Sequence, residues 1–174
     1  RSSDLEPSGR VIINEVLANE PAINNTPNVA YEFVELVNVG GAPVDISGWS
    51  LSDSALSRHV FPAGTTLAAG KALVVFGGAS GIPPGRTNAV RASTGALGLS
   101  NSSDTVSVRR QDATLVDQYA YSTTVDNVSD NRSPDADPNV TTFKLHDVVS
   151  PSGLTSSPGL RADFVLWDIR RPAE

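Results

Sequence analysis

Residues 31–51 read Tyr-Glu-Phe-Val-Glu-Leu-Val-Asn-Val-Gly-Gly-Ala-Pro-Val-Asp-Ile-Ser-Gly-Trp-Ser-Leu. In an extended chain Val34 and Leu36 share one face, and Phe33, Glu35 and Val37 share the other. Gly40-Gly41 ends that run with a turn. Two shorter strand pieces, 44–46 and 49–51, sit on either side of Gly48, with Trp49 available as a core anchor. The same rhythm continues outward. Strand-like pieces are predicted at 10–17, 58–61, 65–67, 72–76, 89–91, 96–99, 105–110 and 114–121, cut by Gly, Pro, Asn and Asp. No stretch sustains helical periodicity. Short strands at roughly ten-residue spacing predict an antiparallel sandwich or barrel.

Composition bounds the function. The chain has 174 residues, a net charge of −6 and no cysteine. A chain of this length buries roughly 70% of its unfolded surface and folds without staples. Disulfides and thiolate metal sites are excluded. The acidic balance argues against general nucleic-acid binding, which needs a basic surface. No run of eighteen apolar residues is present, so no membrane-spanning helix is predicted. The N-terminus lacks the pattern of a signal peptide and an initiating Met, so an excised module or a processed product is expected.

Three loops stand out. Residues 18–30 carry Pro21, Pro27 and four Asn, and a loop of that length is often functional. Residues 77–88 are rich in Gly and Pro. Residues 126–139 are rich in Asp and Asn. After Tyr121 apolar anchors thin to Val140, Phe143 and Leu145. The expected organisation is a disordered lead-in at 1–9, a sandwich at 10–122, and an irregular arm at 123–174 packed on it. The arm ends in a strand candidate at 164–169 that could add to a sheet edge, at home or on a neighbour.

The order of these pieces resembles the lamin-tail domain, an immunoglobulin-like module. The likeness runs through Ser8-Gly9-Arg10-Val11, Asn14-Glu15-Val16, Phe33-Val34-Glu35-Leu36-Val37-Asn38 and Gly48-Trp49-Ser50-Leu51. It continues through Phe61-Pro62, Leu67-Ala68-Ala69-Gly70, Gly98-Leu99-Ser100-Asn101 and Asp104-Thr105-Val106-Ser107-Val108. Asn131-Arg132-Ser133-Pro134-Asp135 and Ser157-Pro158-Gly159 look like the bacterial branch. No coiled-coil heptads precede the module. The resemblance implies an immunoglobulin-like β-sandwich, an interaction role and no active site to carry over.

The residues that could do chemistry are few. Only His59 and His146 could act as an imidazole base, and no Gly-x-Ser-x-Gly elbow is present. Surface or strand-end histidines are the competing reading. Two His and no Cys make a poor zinc set. Asp135-x-Asp137-x-Asn139 has the opening spacing of a calcium loop, but Val140 stands where the sharp turn needs Gly. The competing reading is that these residues cap turns. Glu32 and Glu35 lie on opposite faces of one strand. Glu15 is expected to neighbour Glu35 across strands, where paired carboxylates raise one pKa or recruit a cation. Such a Glu more often accepts backbone hydrogen bonds or pairs with Arg10 or Arg58. Trp49 is expected in the core; Trp167 and the Tyr119/Tyr121 pair are better candidates for an exposed aromatic patch, with packing the favoured reading for them as well. Arg86, Arg91, Arg109 and Arg110 make a basic patch only if they converge.

The function expected is a non-catalytic protein-interaction or adhesion module of a larger bacterial surface or secreted protein, outside the cell or on its surface. It would have no cofactor unless calcium, and a protein or cell-surface component as partner. The alternatives are an accessory ligand-binding module, calcium-stabilised, attached to a secreted hydrolase or nuclease, and a plain spacer.

Overall fold

The computed structural model describes residues 8–162. Most of the lead-in, the strand candidate 164–169 with its expected exchange, and Trp167 lie outside the described residues. In chain order the strands are β1 (Val11–Leu17), β2 (Ala22–Ile23), β3 (Thr26–Pro27), β4 (Phe33–Asn38), β5 (Val44–Asp45), β6 (Ser50–Ser52) and β7 (Ser57–Val60). There follow β8 (Thr66–Leu67), β9 (Ala72–Phe76), β10 (Ala89–Arg91), β11 (Asp104–Arg109), β12 (Leu115–Tyr121), β13 (Asp130–Arg132) and β14 (Phe143–Leu145). A one-turn helix, α1 (His146–Val149), comes after β14.

Ten strands form two facing sheets, in the orders β10-β9-β4-β1-β13-β14 and β12-β11-β6-β7. The inner face of the larger sheet contributes Val11, Ile13, Val34, Leu36 and Val75. The smaller sheet answers with Leu51, Val106, Val108 and Tyr121, and Trp49 and Phe61 fill the space between. The alternation read from Val34 and Leu36 is thus the core alternation. Each such buried aliphatic contributes about 1.5–3 kcal/mol.

Three features depart from the expectations. First, the larger sheet is mixed, because β10 runs parallel to β9. A parallel neighbour needs a crossover of about a dozen residues, and loop 77–88 supplies it. Second, residues 96–99 are not a strand. Leu97 and Leu99 enter the core as single anchors, and the Leu99 N–H goes to Glu32 Oε2 instead of a ladder. Third, the arm is less irregular than its composition suggests. β13 pairs antiparallel with β1, setting Glu15 opposite Asn131, and β14 pairs with β13. Phe143 stacks on Tyr119 with ring centroids 3.9 Å apart, and the Tyr119 hydroxyl donates to Asp130 at 2.7 Å. Tyr121 is buried and donates to the Ser100 carbonyl. The tyrosine pair therefore packs and leaves no exposed aromatic patch.

The arm also covers the outer face of the larger sheet. All of β1 and all of β4 are buried, on both faces. Ile12, Val37, Val39 and Ala72 pack with Ala136 from the arm. A chain ending at residue 122 would strip β13 from β1 and uncover that face. It is expected to lose cooperative unfolding or to aggregate, as checked by a circular-dichroism melt and size-exclusion chromatography. A cooperative, monomeric 1–122 fragment would show that the arm is dispensable.

Candidate functional site

The polar centre of the molecule grows from a β-bulge in β1. The β1–β4 register shifts between Ile13, opposite Leu36, and Glu15, opposite Glu35. A bulge inserts one residue and redirects side chains locally. Here Ile13 and Val16 point into the core, while both Asn14 and Glu15 contact the arm. The expected Glu15–Glu35 neighbourhood is present, and the bulge is its cause.

Both glutamates are fully buried. Glu35 accepts from the Asn14 side chain at 3.0 Å and from the Gly159 N–H at 2.8 Å. Glu15 Oε1 accepts from the Ser157 N–H at 2.9 Å and from the Ser129 hydroxyl at 2.6 Å. Among the described residues neither carboxylate is bonded to an arginine. Burial pushes both pKa values up, that of Glu35 well up, with the Glu15 charge adding to it. The carboxylates act as acceptors for the irregular chain of the arm. Gly159 is required at its place, since it has φ +78° and a side chain there would meet Asn88 and Arg86.

Asp135 belongs to the same cluster. It accepts from Asn14 and Asn131 at 2.9 Å each, and from the Ala162 N–H at 2.8 Å. Asp137 instead bonds the Asn139 N–H at 2.8 Å in an Asx turn, and Asn139 is exposed. The three residues of the calcium spacing thus face different tasks. Asp135 looks inward to β1 and β13, and Asp137 and Asn139 close a turn. Among the described residues no three His, Cys, Asp or Glu side chains converge on a point where a metal ion would fit.

The two histidines are core residues, which corrects their reading as surface or strand-end groups. His146 is fully buried. Its Nδ1 contacts the Leu154 carbonyl at 2.8 Å and must donate to it. Its Nε2 lies 2.7 Å from Ser157 Oγ and 3.7 Å from Glu15. Ser, His and an acid are therefore together, but not as a triad. A triad needs the acid on the ring nitrogen remote from the serine, and here a carbonyl occupies that position. All three groups are at most 1% exposed, so no substrate reaches the hydroxyl. His59 accepts from the Ser93 N–H through Nδ1 and lies edge-on to Phe61 at 4.5 Å. Its burial lowers its pKa, which keeps it neutral.

Of the cavities that open to solvent, two border residues singled out in the sequence. A cleft of about 300 Å3 beside Trp49 sets Arg10, Arg110 and Arg132 against Asp117. Asp117 accepts from the Ile13 N–H and is paired with Arg132 at 2.8 Å. The proposed basic patch does not assemble, because Arg91 lies on β10 and Arg109 on β11, in different sheets. The second cavity is an apolar groove of about 310 Å3. Its floor is Phe33 and Phe76, with ring centroids 5.4 Å apart. Its walls are Pro21 and Tyr31 from one loop, Ile82, Pro83 and Pro84 from a second, and Asn127 from a third. These are the three loops singled out in the sequence. Their convergence was not legible there. Gly81 lets two of them touch, since a side chain on it would strike the Ala30 carbonyl.

The inward role of Asp135 can be separated from the turn role of Asp137. Asp135→Ala leaves three donors without an acceptor and is expected to cost on the order of 2–4 kcal/mol. Asp137→Ala is expected to cost about 1 kcal/mol or less. Urea denaturation measures both, and equal losses would contradict the assignment.

The family comparison agrees with this anatomy. The model of the Lamin Tail Domain family matches residues 5–123, a span that takes in β1 through β12. No curated protein matches the chain. The match covers more than half of the sequence and accords with a two-sheet, immunoglobulin-like architecture, and the chain belongs to the lamin tail domain family.

Proposed function

We propose that the chain is a non-catalytic protein-interaction or adhesion module of a larger bacterial surface or secreted protein. The observation that carries this reading is the division of its side chains. The groups with reactive potential, Glu15, Glu35, His146 and Ser157, are sealed and spent on holding the arm. The apolar groove between the three loops is open instead. Ile23 and Val29, on the first of those loops, are exposed as well. An apolar concavity on a rigid sandwich, rimmed by loops, is a common arrangement for docking another protein. The acidic net charge favours solubility and disfavours nucleic acid as the partner.

Substitution in the groove tests this. Ile82→Asp places a charge on the wall and is expected to weaken capture of a cell-surface or secreted protein by tenfold or more, measured well below the Tm of the variant. Val60→Asp, on an exposed position of β7 in the other sheet, is expected to leave capture intact. If both variants capture as wild type does, the groove is not the recognition surface.

A further inference from the structure

At one end of the space between the sheets two carboxylates stand where neither has an adequate partner. The β1–β4 ladder ends with Leu17 opposite Phe33. Both of these side chains lie on the outer face. By the strand period of two, Ala18 and Glu32 turn inward. Ala18 joins the main core, and Glu32 reaches the Leu99 N–H at a long 3.3 Å. Glu20, two residues beyond Ala18, is on the same side. Glu20 is 4% exposed and Glu32 is 2% exposed. Glu20 Oε2 is enclosed and has no hydrogen-bond partner.

The neighbouring charges do not compensate. Arg58 is the guanidinium that bears on Glu32. It is clamped on Asp53, with Nε at 2.9 Å and Nη2 at 2.6 Å. Asp104 adds a further negative charge, and its oxygens are already used by the N–H groups of Ser54, Ser100 and Thr105. Burial, aided by the Glu20 charge, pushes Glu32 up to about 8. An enclosed acceptor with no donor, beside a second buried carboxylate, calls for a positive charge that is not placed there among the described residues.

We propose that Glu20 and Glu32 bind a calcium ion that closes this end of the sandwich. The donor set is all oxygen, with neither His nor Cys, which suits a hard cation and not zinc. Calcium accepts irregular coordination and fills the rest of its shell with main-chain carbonyls and water. Magnesium demands a near-ideal octahedron and fits less well. Glu20 directly precedes Pro21 and Glu32 directly follows Tyr31, two walls of the apolar groove. The ion therefore ties both ends of segment 21–31 to the sandwich. The inference does not depend on what the groove binds.

Thermal unfolding of the purified 174-residue chain tests the site. At pH 8, calcium at a hundredfold excess over its Kd is expected to raise Tm by roughly 5 °C relative to EDTA. Glu20→Gln and Glu32→Gln should each remove that rise, and Asp137→Asn should keep it. In EDTA, Glu32→Gln should still melt cooperatively, which shows that the variant folds. Terbium luminescence excited through the protein's aromatic residues should appear with wild type, be displaced by calcium, and fail with either glutamine variant. A Tm indifferent to millimolar calcium together with no terbium emission would overturn the proposal. So would a calcium response that survives both substitutions. A Tm that rises on acidification and ignores calcium would assign the pair a shared proton instead, and would also overturn it.

Discussion

The structure depends on covering both faces of β1 and β4. Their inner faces meet the smaller sheet in the usual manner of a sandwich. Their outer faces carry Ile12, Val37, Leu17 and Phe33, which no second sheet covers. The chain must therefore return after β12 and lie over them. That return is irregular where it crosses the sheet, so its N–H groups have no ladder to join. Asn14, Glu15, Glu35 and Asp135 supply the acceptors, for the N–H groups of Ala136, Ser157, Gly159 and Ala162.

Carboxylates suit this task for a reason of valence. An ionised carboxylate accepts at several lone pairs, and charged acceptors make stronger bonds than neutral ones. Glu15 alone serves a hydroxyl and a backbone N–H with one oxygen. The cost is desolvation, visible in the raised pKa values of Glu15 and Glu35. His146, 3.7 Å from Glu15, opposes that cost. A purely apolar cover would pack as well, but it would not fix which residue of the arm faces which residue of the sheet. Each carboxylate here names its partner. Removing one partner leaves a buried charge unmet, so the cluster stands or falls together.

Much of this was legible before any coordinates. The alternation in residues 33–37 follows from a period of two and the buried indole of Trp49 from the family pattern, whereas the Glu15–Glu35 neighbourhood was expected from strand pairing and owes its register to the bulge. The Asp135 cluster was legible only as acidity. Its ligand-like spacing is an accident of sequence, because Asp135 and Asp137 point to different tasks. What stayed hidden has common causes. The bulge at Asn14 leaves no trace in composition. β13 reads Asp-Asn-Arg, three polar residues that no propensity assigns to a strand; it pairs because β1 offers a free edge. The parallel placement of β10 was available in principle from the length of loop 77–88. The burial of His59 and His146 was not, since each is held by tertiary partners remote in sequence.

The same architecture determines where recognition can occur. A sheet buried on both faces has no flat surface to lend, and its polar groups are consumed by the arm. What remains of the larger sheet is its rim, where loops cross from one strand to the next, beside the exposed outer positions of the smaller sheet such as Val60 and Leu115. Three of these loops meet above Phe33 and Phe76, which belong to the outer apolar cluster of the larger sheet. The groove is therefore framed by loop ends and the arm over a part of that outer face where Phe33 and Phe76 are themselves buried. Its floor is as rigid as the sheet beneath it, while its walls are set by loop ends that larger changes in sequence can alter without touching the core. A module built this way can keep one scaffold and vary its loops, because the described part of the arm and the loops, and not a second sheet, cover the outer face of the larger sheet.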